Sequence, residues 1–292
     1  MQGLYTAIVT PFKNDRSLNK QKLKELIAFQ AAGGVDGIVP GGTTGENPTF
    51  SEKEFQEIFE ICVEFADFHN IKVIAGCGSN DTSKAVSLCK MASQVGADSA
   101  LVITPYYNKP NQEGLYRHFS EVAEHSPIPI VMYNVPSRTG VNLLPETVEK
   151  LAINENIIAL KEASGSMSQV QKIIFAVEDK ISIFSGEDDL IYSMMALGAK
   201  GGVSVTSNII PKQMSMLVHA MLDGDHEKGL KLAKYTNELC QTMFIDTNPI
   251  PVKKAMNLMG LEMGPTRLPL VELPEDKIKH LTKILKEYKL IK

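Results

Sequence analysis

"IIALKEASGS", residues 157–166, runs an apolar stretch straight into a lysine. Ile157, Ile158, Ala159 and Leu160 have the aliphatic character of a strand buried on both faces. Lys161 and Glu162 follow at once, and then the small residues Ala163, Ser164 and Gly165. An ammonium group is costly to bury unless it is paired or loses its charge. Either the strand surfaces at Lys161, or the lysine stands in a pocket and does chemistry. Those ten residues alone fit both readings, so the decision lies in what surrounds them.

Similar runs recur along the chain, each ending in a Gly, Ser, Thr, Pro or Asn cluster. They are "LYTAIV" (4–9), "VDGIVPGG" (35–42), "IKVIAGCG" (71–78), "SALVITP" (99–105), "PIPIVMYN" (127–134), "IIALKEAS" (157–164), "ISIFSGE" (181–187) and "GGVSV" (201–205). Helix-patterned segments separate them. "NKQKLKELIAFQAAGG" places Leu23, Leu26, Ile27 and Ala31 on one face, and "SEKEFQEIFEICVEFADF" opens on the capping-box pair Ser51 and Glu54. "SKAVSLCKMASQVGAD", "PETVEKLA", "SMSQVQKIIFAVED" and "PKQMSMLVHAMLDGD" continue the alternation. Eight strands alternating with helices predict an α/β fold, the (β/α)8 or TIM barrel. A doubly wound sheet would show a G-x-G-x-x-G turn after its first strand, and here that strand runs into "TPFKND".

After residue 224 the strand pattern stops. "HEKGLKLAKYTNELCQTMF", "NPIPVKKAMNLMG" and "EDKIKHLTKILKEYKL" read as a C-terminal helical appendage. The expected division is a catalytic barrel over 1–224 and a helical region over 225–292. The last segment spaces Ile278, Leu281, Leu285 and Tyr288 helically with lysines opposite, the pattern of a docked helix with a solvated face. The same lysine-rich pattern suits a membrane surface less well.

Net charge −4 among 292 residues gives no basic surface for nucleic acid. No apolar run is long enough to cross a bilayer, and "MQGLYTAIVTPF" lacks a signal-peptide core. Cys62, Cys77, Cys89 and Cys240 are scattered without C-x-x-C, as expected of reduced core thiols in a cytoplasmic protein. The six histidines form no metal-binding spacing, so no metal is expected.

In such a barrel the active site gathers at the C-terminal strand ends. Those ends carry "GGTTGE" (41–46), "TPYYN" (104–108), "YNVPSRTG" (133–140), Lys161 and "SGEDD" (185–189). The first is a flexible turn or an anion cradle of backbone N–H groups and threonine hydroxyls. No Lys-Ser/Thr follows it, which excludes a Walker phosphate loop. Tyr133 could simply satisfy a backbone carbonyl, and Tyr106 and Tyr107 could pack at an interface. Arg138 is a surface charge in a short polar loop or a fork gripping a carboxylate. Lys161 decides between them. A lysine forms a Schiff base only as the neutral amine, which desolvation at an apolar strand end favours. A phenol on the adjacent parallel strand could shuttle the protons.

These residues resemble the pyruvate-dependent class I aldolases of the dihydrodipicolinate synthase and N-acetylneuraminate lyase type, over essentially the whole chain from "YTAIVTPF" to "NPIPVKKAMNLMG". The resemblance implies that Lys161 forms a Schiff base with pyruvate, whose carboxylate is held by Thr43 and Thr44. It implies a proton relay of Tyr133, Thr44 and Tyr107, the last supplied by a neighbouring subunit. Arg138 matches the arginine that binds the carboxylate of L-aspartate-4-semialdehyde. Gly186 and Val203 fall where main-chain atoms line the pyruvate pocket. No cofactor beyond the covalent pyruvate adduct is implied, and the usual assembly is a homotetramer, a dimer of dimers. Two threonines in the cradle and Arg138 favour the dihydrodipicolinate branch. The alternative is an N-acetylneuraminate lyase-like or other 2-keto-3-deoxy sugar acid aldolase.

Lysine-inhibited relatives bind lysine at the tight dimer interface near Tyr106 and Asn80. Here the matching helix position is Lys84, with Glu52 and Phe55 where histidines are common. An ammonium ligand beside another cation is repelled, so weak or absent inhibition by lysine is expected.

Overall fold

The computed structural model describes residues 1–292. Its strands are β1 (Gly3–Thr6), β2 (Gly37–Ile38), β3 (Lys72–Gly76), β4 (Ser99–Ile103), β5 (Ile130–Asn134), β6 (Ile157–Glu162), β7 (Ser182–Ser185) and β8 (Gly201–Ser204). They pair in chain order, all parallel, and β8 returns to β1 to close the eight-stranded barrel that the sequence predicts. The β3–β6 cores, Val73 to Ala75, Ala100 to Val102, Ile130 to Met132 and Ala159 to Leu160, are buried. One face of each strand fills the barrel and the other meets helices, which is why these runs do not alternate with polar residues.

The second strand is shorter than its apolar run. Val39 N still donates to Thr6 O at 2.7 Å, and Gly76 N to Pro40 O at 2.8 Å. Pro40 then offers no N–H, and Gly41 turns to φ +66°, so the chain leaves the ladder. A Cβ on Gly76 would lie 2.0 Å from Gly41 O. Glycine at 76 is therefore what lets the turn fold down against β3.

The helix Glu52–Phe68 opens on the expected capping box: Glu54 N donates to Ser51 Oγ at 3.3 Å, and Ser51 N to Glu54 Oε2 at 2.9 Å. Two short pieces escape periodicity. The helix Ile191–Ala196 spans six residues, too few for an apolar stripe to stand out. Arg138, expected in a polar loop, lies on the single helical turn Pro136–Thr139, stopped by Gly140 at φ +71°.

Beyond β8 come the helices Pro211–Leu222, His226–Thr242, Ile250–Leu258 and Glu275–Glu287. The last docks as expected: Leu281, Ile284 and Leu285 are buried, and Tyr288 Oη donates to Tyr235 O at 2.7 Å. No helix is long and apolar enough to cross a membrane. The four cysteines are unpaired and buried.

Candidate active site

Alternation along β6 settles the opening ambiguity. Residues two apart share a face, so Lys161 follows Ala159 into the barrel mouth while Glu162 turns to the other side. There Glu162 accepts hydrogen bonds from Ser164 N at 2.8 Å and Asn134 Nδ2 at 3.0 Å. The adjacent lysine and glutamate therefore do not pair.

Lys161 stands in register with Tyr133 across β5 and β6. Its Nζ lies 4.1 Å from the centre of the Tyr133 ring. The side chain is buried, and burial pulls its pKa down to about 7. Asp188 pulls the other way, and Arg138 adds to the depression. Tyr133 is pushed up to about 12, first by burial, with Arg138 and Thr43 opposing and Glu187 adding. The site thus favours the neutral form of the amine beside a phenol that keeps its proton.

A cavity of about 160 Å³ opens beside this pair, lined by Thr43, Thr44, Tyr133, Arg138, Lys161 and Gly186 among others. An adjoining cavity of about 210 Å³ shares Gly42, Thr43, Leu101, Tyr133 and Arg138 with it. The four strand ends Thr43–Thr44, Tyr133–Arg138, Lys161 and Gly186 therefore converge on one mouth. Gly186 is there because nothing larger fits: a Cβ would lie 2.8 Å from Ala163 Cβ and 3.0 Å from Lys161 Cε.

Two of the expected residues do not line the cavities of their own chain. Val203 is buried in β8 beside Tyr5 and is not a lining residue; Val205, two residues on, is. Tyr107 is 88% exposed and lines neither cavity of its own chain. Its backbone is left-handed at φ +71°, a strained state for a bulky residue. The loop is pinned by Asn108 Nδ2, which donates to Asn80 O at 2.8 Å.

Three contributors were not singled out in the sequence. Asn248 Nδ2 donates to Thr44 Oγ1 at 2.9 Å, and its backbone carbonyl accepts from Arg138 Nη2 at 3.3 Å. Because Thr44 Oγ1 receives that bond, its own proton is free for another acceptor in the mouth. Asp188, inside the quoted "SGEDD", is buried and accepts from Val205 N at 3.1 Å and Thr206 N at 2.6 Å. Burial raises its pKa. Glu187 lines the cavity and is raised first by burial and then by Asp189 and Glu162. A signal for Asp188 existed, since a carboxylate pair at a barrel strand end is a candidate site; Asn248 carried none.

Comparison with known proteins agrees with the fold. A profile described as the dihydrodipicolinate synthetase family matches residues 1–288. The chain belongs to this family. It is 48% identical over 290 residues to the 4-hydroxy-tetrahydrodipicolinate synthase of Citrifermentans bemidjiense, covering 99% of each chain. The crystal structure of the Aquifex aeolicus dihydrodipicolinate synthase superposes with a TM-score of 0.96 at 43% identity, again over 99% of each chain. The chloride-inhibited enzyme of Acinetobacter baumannii, solved with pyruvate, gives 0.97 at 40% identity, with 99% of each chain covered.

Proposed function

We propose that this chain is a Schiff-base-forming lyase that condenses pyruvate with L-aspartate-4-semialdehyde to give 4-hydroxy-tetrahydrodipicolinate and water, the first committed step of diaminopimelate and lysine biosynthesis. Synthases of that name at near-half identity and full coverage support it, and the sugar-acid aldolase alternative finds no support among these relatives. The observation that carries the chemistry is the buried Lys161 amine against Tyr133.

The steps follow from the groups in place. An ordinary lysine is almost wholly protonated at pH 7, whereas burial pulls Lys161 down to about 7, which makes the neutral amine far more available. The amine attacks the pyruvate ketone while Thr43 and Thr44 receive the carboxylate. Tyr133 donates a proton to the departing hydroxyl, so the carbinolamine loses water and leaves an iminium. Loss of a proton from the pyruvate methyl gives the enamine, whose carbon attacks the aldehyde. Arg138 grips the carboxylate of that second substrate through its guanidinium. The amino group of the former aldehyde then displaces Lys161 from the iminium carbon, closing the ring and freeing the lysine.

On this reading Thr44 passes protons between Tyr133 and Tyr107 of the partner subunit. The exposure of Tyr107 and its strained backbone support such a role across an interface. The working assembly is a homotetramer, a dimer of dimers, in the cytoplasm. Residues 1–224 form the catalytic barrel and 225–292 the helical region that completes it. Gly186 keeps room for pyruvate, Val205 lines the pocket after β8 where Val203 was expected, and no cofactor beyond the covalent adduct takes part.

Pyruvate with borohydride tests the reading: a stable adduct on the Lys161 peptide is expected, together with turnover of aspartate semialdehyde. Absence of the adduct would refute the Schiff base. Cleavage of N-acetylneuraminate in preference to aspartate semialdehyde turnover would refute the substrate assignment.

A further inference from the structure

The threonine turn ends on Glu46, whose backbone is left-handed at φ +64°. A glutamate keeps that conformation only where its surroundings hold it. Lys253 Nζ donates to Glu46 Oε1 at 2.7 Å and to Pro265 O at 2.9 Å, and the two side chains are only 2% and 1% exposed. The other carboxylate oxygen accepts from Arg267 N at 2.8 Å. Arg267 itself is fixed by Thr49 O at 3.0 Å and by Glu54. Both cations lie over the Phe12 ring, Lys253 Nζ at 4.3 Å and Arg267 Cζ at 4.1 Å from its centre.

Stability is a poor reason for such an arrangement. Removing two charges from water offsets much of their attraction, and apolar residues of similar volume often do as well or better. What an ion pair with a donor on each oxygen does supply is direction. Glu46 lies two residues after Thr44, and the Lys253 segment begins at Asn248, which holds Thr44 Oγ1. The same short segment therefore pins the turn at two points. Lys253 also lines a separate open recess of about 750 Å³.

We propose that Glu46 and Lys253 are positioning residues: their buried ion pair holds the Thr43–Thr44 turn in register with Lys161 and so sets how well pyruvate is bound and oriented. Neither residue touches substrate. The inference rests on the reading that this turn grips pyruvate.

Glu46→Gln combined with Lys253→Met removes both charges, so that neither is left buried and unpaired. Thermal melting, the KM of each substrate and the pyruvate dependence of borohydride labelling are then measured. The double variant is expected to melt within a few degrees of the wild type. Pyruvate KM and the pyruvate level for half-maximal labelling should rise about tenfold and kcat fall about tenfold, in keeping with small misplacements of reacting groups. The aldehyde KM should stay within about twofold, because Arg138 is held through Asn248 instead. A purely structural pair would lower the melting point without separating the two KM values. Wild-type pyruvate KM and labelling in the double variant would overturn the proposal. Should that variant fail to fold, Glu46→Asp keeps both charges and shortens the reach; a raised pyruvate KM supports the proposal, and an unchanged one overturns it. An unlabelled wild type would instead defeat the functional reading itself.

Discussion

Lys161→Met separates what the lysine does for chemistry from what it costs the fold. Methionine has a similar unbranched length and no charge. In the wild type the native lysine titrates at about 7 and the unfolded one near 10.5. Between those values the unfolded chain holds a proton that the native chain does not, so stability rises with pH. Below about pH 7 both states are protonated, and the full penalty of the buried charge is present. Integrating from about pH 6 to about pH 9, the wild type gains about 2–3 kcal/mol from this one group. The variant lacks that gain. Urea unfolding of both proteins at those two pH values, at equal protomer concentration, reads the difference directly. Other titrating groups, Lys253 and Asp188 among them, are present in both proteins and largely cancel. The wild-type-minus-variant stability should therefore increase by about 2–3 kcal/mol toward high pH. A difference flat to within about 0.5 kcal/mol would show that Lys161 titrates like an exposed lysine, and the case for a neutral nucleophile would fall.

Gly186→Ala should press on Lys161 Cε and Ala163 Cβ, at 3.0 Å and 2.8 Å. Since displacing a nucleophile by about 1 Å costs roughly 100-fold, kcat is expected to fall about 10- to 100-fold with the melting point lowered only a few degrees; kcat within about twofold would refute the contact. Lys84 is exposed near Asn80, whereas Phe55 is buried against Phe50 and Phe59 and presents nothing to a ligand. Millimolar lysine should accordingly leave steady-state turnover nearly unchanged, and half-inhibition below a millimolar would show the reading of Lys84 and Glu52 to be wrong.

The barrel was legible because its signal is local. Each apolar run and each capping pair lies within one segment, as with Ser51 and Glu54 three residues apart. The strand ends could then be inspected for chemistry without knowing a single contact, and Lys161 and Tyr133 fall in register because neighbouring parallel strands end together. What stayed hidden depends on distant pairing. Asn248 meets Thr44 across 204 positions, and Lys253 meets Glu46 across 207. No periodicity relates such residues. Asp188 reaches Val205 and Thr206 only through the β7–β8 crossover, 17 and 18 positions away. Tyr107 differs again, since its own chain gives its phenol nothing to act on.

The balance of charges around Lys161 explains why burial alone would make a poor catalyst. In the proposed mechanism, burial favours the neutral amine that would attack pyruvate, but it would equally disfavour the cationic iminium that follows. Asp188 opposes burial at this point, holding the lysine at about 7. Its carboxylate is kept in place by two backbone N–H groups and does not need to reorganise when charge appears. Arg138 works against the protonated amine; in the proposed mechanism it faces the incoming carboxylates, whose arrival would offset its effect. On the proposed mechanism, binding of the substrate anions would shift the field from one that deprotonates the lysine toward one that tolerates a fixed positive charge. On that reading, only a site that favours the charged intermediate over the resting amine would lower the barrier instead of merely binding pyruvate.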